Sequence, residues 1–206
     1  WDFLKKMINI IKSGVGNIGS LIKVINDLEY DYRIISDPSE FTNTKKIILP
    51  GVGSFDSFIN SLKDQNLFDR IFSLVNNQNY SILGICVGMQ SLFKKSEEGI
   101  LNGLDLVDGE CIKFRLKNQK VPHLGWNNIN IKINNEITND IKKNSFYFAH
   151  SYHVANLDKK CIVATTDHEN VFPSIINVGN IYGVQFHPEK SYDQGKKLIK
   201  NFIEKC

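Results

Sequence analysis

The apolar run Tyr80-Ser81-Ile82-Leu83 leads directly into Gly84-Ile85-Cys86-Val87-Gly88-Met89-Gln90, and an amphipathic stretch through Lys95 follows without a linker. This junction constrains the fold more than any other segment. An apolar run of this length reads as a strand buried on both faces in a parallel sheet, and helical spacing directly after it makes the pair a βα unit. Glycines at 84 and 88 flank Cys86 so closely that the chain has to turn sharply there, with small residues letting helix approach strand. A thiol at such a turn is placed where a nucleophile is placed. The amides at the start of the helix would lower its pKa and could receive a developing oxyanion. A buried structural cysteine fits the seven residues equally well, because free cysteine also packs as a small hydrophobe.

A second segment separates these readings. Tyr182-Gly183-Val184-Gln185-Phe186 reads as another apolar strand, and it ends in His187-Pro188-Glu189-Lys190-Ser191. A thiol nucleophile needs an imidazole to take its proton, and the imidazole needs a carboxylate to fix its tautomer and balance its charge. In extended backbone, His187 and Glu189 fall on one face, with Pro188 keeping His187 out of helical geometry. The predicted catalytic residues are Cys86, His187 and Glu189.

Together, Gly-Ile-Cys-x-Gly-Met-Gln and Gly-x-Gln-Phe-His-Pro-Glu-Lys-Ser resemble the signatures of the class I, or triad-type, glutamine amidotransferases. Gly14-Val15-Gly16-Asn17, Leu49-Pro50-Gly51-Val52-Gly53-Ser54-Phe55, Pro122-His123-Leu124-Gly125-Trp126-Asn127 and Phe146-Tyr147-Phe148-Ala149-His150-Ser151-Tyr152 narrow the resemblance to the glutaminase subunits of imidazole glycerol phosphate synthases. The resemblance spans residues 7 to 206. It implies a flavodoxin-like α/β fold, hydrolysis of L-glutamine through a cysteine thioester, and transfer of ammonia to a cyclase/synthase subunit with a (β/α)8 barrel. No cofactor and no metal are expected. A related glutaminase serving another acceptor, such as a sugar amidotransferase of surface-polysaccharide synthesis, is the alternative. A cysteine peptidase or a DJ-1-like protein would share the cysteine turn without needing Gln90 or the whole His-Pro-Glu-Lys-Ser segment.

The resemblance also implies roles for individual residues. The oxyanion hole would combine the Val87 N–H with the Val52-Gly53 peptide, so Gly53 and Val87 are named for it. Glutamine would be held by Gly53, Gln90 and the backbone of His150, Ser151 and Tyr152. Trp126, Asn127 and Tyr147 would face the partner beside the exit for ammonia. The turn after the first strand also faces the partner in the family. There this chain has Lys12-Ser13-Gly14 in place of the family's Asp-Tyr-Gly.

Residues alone leave several points open. Gly14 to Gly19 spells G-x-G-x-x-G after a first strand, and Asp37 could serve as its acid, so a dinucleotide-binding reading stands beside the other. Trp126 suits an interface or a core. His150 and His153 are read as lying on opposite faces of one strand at 146–154, a poor metal pair. Pro50-Gly51-Val52-Gly53 reads as a βα loop ahead of an N-cap at Ser54.

The chain has 25 basic and 22 acidic residues and a net charge of +3, interspersed along the sequence. Such patterning argues against a nucleic-acid stripe or a polybasic membrane anchor. No apolar run approaches the roughly 20 residues a membrane span needs. Residues 1–6 lack the core of a signal peptide, and Met7 is expected as the natural start, with 1–6 a vector-derived or upstream extension. The four cysteines form no CxxC and no zinc spacing, so a reduced, cytoplasmic setting is expected.

The patterning predicts strands at 8–11, 32–36, 46–49 and 81–85 alternating with helices at 18–28, 55–75 and 87–95. After Gly99 it predicts strands without helices at 110–114, 128–133, 146–154, 161–166 and 181–186, and finally a helix at 192–204. Alternation followed by a run of strands implies one domain: an open, mostly parallel sheet flanked by helices, with an antiparallel extension.

Overall fold

The computed structural model describes residues 7–14, 16–77 and 80–206; residues 1–6, expected to be an extension, lie outside the described residues, as do residues 15, 78 and 79. The first half alternates strand and helix as expected. Helix α1 (Gly19–Asp27) joins strands β1 (Met7–Ile11) and β2 (Asp31–Ile35), a 3-10 turn at Pro38–Glu40 leads to β3 (Lys46–Gly51), and helices α2 (Phe55–Asp64) and α3 (Leu67–Asn77) lead to β4 (Ser81–Cys86). Beyond the one-turn helix α4 (Val87–Gln90) come β5 (Phe93–Ser96), β6 (Val107–Lys113), β7 (His123–Ile131), β8 (Ser145–His150), β9 (Tyr152–Ala155), β10 (Ile162–His168), β11 (Asn170–Val178) and β12 (Ile181–Val184). Helix α5 (Tyr192–Lys205) closes the chain.

Nine strands form one sheet in the order β2-β1-β3-β4-β12-β11-β10-β7-β8. The pairings from β2 to β12 are parallel, and those from β12 to β8 antiparallel. The expected parallel sheet with an antiparallel extension is therefore what forms. Isoleucines in β1 and β3 and the Ile82–Ile85 run of β4 are fully buried, as strands covered on both faces require. A smaller sheet, β5-β6-β9, stands apart from the first.

Four expectations about elements need correction, each for a physical reason. The helix expected at 55–75 is two helices, because Asn66 adopts a left-handed φ of 57° and its N–H closes on Lys63 O, an ending Asn tolerates well. The helix expected at 87–95 stops after one turn. Ser91 Oγ turns back to Gly88 O at 2.8 Å, and Phe93–Ser96 pairs with β6, so long-range pairing overrides helical spacing. The single strand at 146–154 is interrupted at Ser151, β8 joining the large sheet and β9 the small one. Strand β11 was not anticipated; its Pro173 falls where the β10–β11 register shifts, a position where a ladder tolerates a missing donor.

Ser54 takes the N-cap position of α2 without a side-chain cap. Glu98 supplies the cap instead, its Oε2 accepting the Phe55 N–H at 2.8 Å, while the Asp56 carboxylate takes the N–H groups of Ile100 and Leu101.

Candidate active site

Cys86 is the last residue of β4 and the N-cap of α4, with φ 54° and ψ −113°, a conformation that a non-glycine residue adopts only under constraint. The constraint comes from close packing of α4 on the sheet. A Cβ on Gly88 would stand 1.9 Å from Leu49 O, and one on Gly84 would stand 2.7 Å from the Gly88 and Met89 backbone. Only glycine lets the one-turn helix lie this close to β3 and β4, and that closeness turns the Cys86 side chain out of the strand direction.

Strand pairing then brings the other groups alongside. Gly51 is paired with Cys86 across the parallel ladder, and the following Val52 and Gly53 border the same cavity as Cys86 and Val87. Gly53 has φ +86°. On the other side of β4, Val184 pairs with Ile85, which sets Gln185 beside Cys86 and carries the chain on to His187. The site therefore gathers at the C-terminal ends of three parallel strands, where α/β sheets bind ligands.

His187 Nδ1–H donates to Glu189 Oε1 at 2.8 Å, and the ring also hydrogen-bonds to Cys86. Expected on one face of an extended strand, the pair meets through the tight 3-10 turn Pro188–Lys190. His187 N–H donates to Tyr147 O at 2.8 Å, and Ser191 Oγ–H donates to His187 O at 2.6 Å, so the turn is fastened to β8. Burial works to depress the imidazole pKa, but its bonds to Cys86 and Glu189 together outweigh burial and push it up to about 10. The ring is thus held as an imidazolium between a sulfur and a carboxylate. The Cys86 sulfur lies 3.8 Å from Ala149 O, and Gln185 Nε2 approaches it at 3.9 Å.

A cavity of about 320 Å³ opens over the sulfur, bordered among others by Gly53, Val87, Gln90, Ser151, Tyr152 and His187. Every residue expected to form the oxyanion hole or hold the substrate borders it. Glu98 also borders it, its carboxyl pushed up by burial, and no motif had marked this residue. Sequence offers little to find Glu98 by, since it lies in a loop whose approach to the cavity depends on the cap it gives α2.

The residues expected at an interface separate. Trp126 and Tyr147 are cross-strand partners on β7 and β8, and Trp126 is 48% exposed. Tyr192 stacks on Trp126 at 5.2 Å with an 8° interplanar angle, and Lys190 Nζ lies 5.6 Å from the Tyr147 ring centre. Asn127 alternates to the other face, where its amide bonds His123 Nε2 at 3.1 Å and Asp167 O at 2.9 Å. His150 and His153, expected on opposite faces of one strand, lie on two strands and both pack against Phe114. Among the described residues, no group of three His, Cys, Asp or Glu side chains is placed to hold a metal ion, and no helix is long and apolar enough to cross a membrane.

Comparison with known proteins agrees with this geometry. The family described as "Glutamine amidotransferase class-I" matches residues 1–206. The imidazole glycerol phosphate synthase subunit HisH 2 of Methanococcus maripaludis is 46% identical over 202 residues, covering 97% of this chain and 100% of that protein. The subunit HisH of Methanocaldococcus jannaschii is also 46% identical, over 96% of this chain and 99% of its own length. Among solved structures, a glutamine amidotransferase from Thermotoga maritima shares the fold at a TM-score of 0.65 and 15% identity, covering 95% of this chain and 81% of that one. The chain is a member of the class I glutamine amidotransferase family.

Proposed function

We propose that this chain is the glutaminase subunit of an imidazole glycerol phosphate synthase, releasing ammonia from glutamine for a separate synthase subunit in histidine biosynthesis. The observation that carries the chemistry is the Cys86–His187–Glu189 chain beneath a cavity at the strand ends. The full-length similarity to two such subunits supports the acceptor.

In this reading Cys86 gives its proton to His187 and its sulfur attacks the side-chain carbonyl carbon of glutamine. The tetrahedral oxyanion takes hydrogen bonds from the Val87 N–H, the first amide of α4 and so without a helical partner, and from the Val52-Gly53 peptide. The positive φ of Gly53 is what a reorienting peptide requires at little cost. His187 gives its proton to the leaving ammonia, and a thioester forms. His187 then takes a proton from water, which attacks the thioester, and glutamate and the thiolate are released. Glu189 fixes the ring and balances its charge throughout.

The cavity volume lies within the range of small-ligand sites, about 300–1,000 Å³. Gly53, Gln90 and the His150-Ser151-Tyr152 backbone would hold the amino-acid end. Glu98 supplies the anion that the α-ammonium group needs.

The partner would be the (β/α)8-barrel cyclase/synthase subunit, docking over the exposed Trp126–Tyr192 stack and Tyr147. Asn127 faces inward and is left out of that surface. A reduced thiol nucleophile suits a cytoplasmic enzyme. One observation favours a second reading, a paralogous glutaminase feeding a different synthase: Lys12 is exposed beside the buried Ser13, where the family's partner-facing turn carries Asp-Tyr.

The test is glutaminase turnover of the chain alone, with the imidazole glycerol phosphate synthase barrel, and with that barrel plus its nucleotide substrate. Stimulation by the barrel, lost in Cys86→Ala, supports the proposal. Stimulation only by another synthase would favour the second reading, and failure of a glutamine-analogue electrophile to label Cys86 would sink both.

A further inference from the structure

Four of the five histidines, 123, 150, 153 and 168, gather behind the candidate glutamine site and outside the triad. Their bonds have one direction. His150 Nδ1 lies 2.8 Å from Tyr152 O, and a carbonyl oxygen only accepts, so Nδ1 carries the proton and Nε2 of the neutral ring is an acceptor. His123 Nδ1 lies 3.0 Å from that Nε2 and therefore donates, leaving its own Nε2 to accept. Asn127 Nδ2 donates to it at 3.1 Å. The rest of the Asn127 amide is also engaged, with Asp167 O at 2.9 Å and the Asn128 N–H at 2.7 Å.

The relay ends on glutamine-site atoms. Tyr152 forms a non-hydrogen-bonded pair with Lys113 in the β6–β9 ladder, because Phe114 N–H takes the preceding carbonyl, Ser151 O. Tyr152 C=O and N–H thus both point away from β6. The carbonyl accepts from His150 and, at 3.0 Å, from Gln90 Nε2. The Gln90 amide donates as well to Gln185 Oε1 at 3.1 Å, and Gln185 Nε2 reaches the Cys86 sulfur at 3.9 Å.

We infer that His123 and Asn127 are positioning residues for glutamine: through His150 they hold the Tyr152 carbonyl, and across that carbonyl Gln90, in the geometry that binds substrate. The inference rests on the glutaminase reading above. Reversing either ring would bring two donors or two acceptors together, so β7 and β8 specify the orientation of a backbone segment on β9. The groups facing the relay cannot supply an alternative anion. His168 stacks on His123 at 4.1 Å, His153 lies across Phe114, and the carboxylate of Glu97 acts on His153. Burial accordingly holds His123 down to about 4 and His150 well below an ordinary histidine, so both rings are neutral at pH 7.

Two measurements test this. Ring-nitrogen NMR of the 15N-labelled chain should show His123 and His150 as the Nδ1–H tautomer, opposite to the form neutral imidazole prefers in water. In the complex with the synthase subunit, Asn127→Asp, which removes the donor and offers His123 a carboxylate, should raise the glutamine KM about fivefold, the worth of one hydrogen bond, with kcat within about twofold. It should also move the acid limb of kcat/KM to higher pH. His123→Leu should raise KM similarly, whereas His123→Asn, whose amide can take the place of Nδ1, should restore it. Ordinary Nε2–H tautomers, or an unchanged KM in both Asn127→Asp and His123→Leu, would overturn the relay while leaving the glutaminase reading intact. No glutamine turnover by the wild-type complex would instead overturn the functional reading and the positioning role with it.

Discussion

Gly88→Ala tests how Cys86, the proposed nucleophile, is presented. The added Cβ would stand 1.9 Å from Leu49 O and 2.9 Å from Leu49 C, both main-chain atoms of β3. β3 is hydrogen-bonded between β1 and β4, so the sheet cannot yield and α4 has to lift. Ordinary contact begins near 3.4 Å, which makes the required displacement about 1.5 Å. The residues that move are Val87 and Gln90, with Cys86 as their N-cap. A misplacement of about 1 Å costs roughly a hundredfold in rate, so kcat should fall at least about a hundredfold. Overpacking should cost about 1–3 kcal/mol, lowering Tm by about 2–4 °C for each kcal/mol in a chain of this size. Glutamate release by the complex gives the rate, and a circular-dichroism melt gives the stability. Gly179→Ala is the control: its φ is +57° but nothing lies within 4 Å, so it carries only backbone strain of about 1–2 kcal/mol and leaves kcat unchanged. A Gly88→Ala enzyme with kcat within threefold of wild type would refute the argument that close packing of α4 sets the thiol.

Three further outcomes follow from the charges. Glu189→Gln keeps the shape of the His187 partner but removes its charge, so kcat should drop by about 10²–10⁴ and the ring pKa, raised to about 10, should fall toward 6.5; a ring that titrates as before would refute this. Because that pKa is raised, the stability contributed by charged His187 is complete below 6.5 and is lost as pH rises through about 10, and the variant should lose it at lower pH. Glu98→Gln should raise the glutamine KM tenfold or more yet hardly affect an analogue lacking the α-amino group, while the Phe55 N–H keeps an acceptor; equal effects on both ligands would count against Glu98 as the ammonium site. His123 works in the opposite sense, since burial first and His168 second hold its pKa near 4. Its contribution is complete above 6.5 and fades as pH falls toward 4, by up to about 3 kcal/mol. Urea unfolding at pH 7 and 4.5 should show a smaller loss in His123→Phe than in wild type, and an equal loss would exclude His123 as a source of acid sensitivity.

The parts of the site that could be read early are those made by neighbours in sequence. Gly84, Cys86 and Gly88 lie within five residues, and His187 and Glu189 are two apart, so local backbone geometry already limits what they can do. Even there, the 3-10 turn that brings Glu189 to His187 differs from the extended strand that spacing suggested. Glu98 shows the opposite case. Its loop reaches the cavity because its carboxylate caps a helix that begins forty-three positions earlier, and no local pattern carries that information.

Sequence alone therefore determined the βα junction, the alternation of the first half and the candidate triad of Cys86, His187 and Glu189, because side-chain periodicity and turn chemistry act over a few residues. Tertiary structure decided the rest. Phe93–Ser96 became a strand because β6 was available to pair with it, and the 146–154 run divided because its halves found different sheets. Asn127 turned from the expected interface to His123 because alternation along a strand assigns faces only once register is fixed, and register is set by partners distant in the chain.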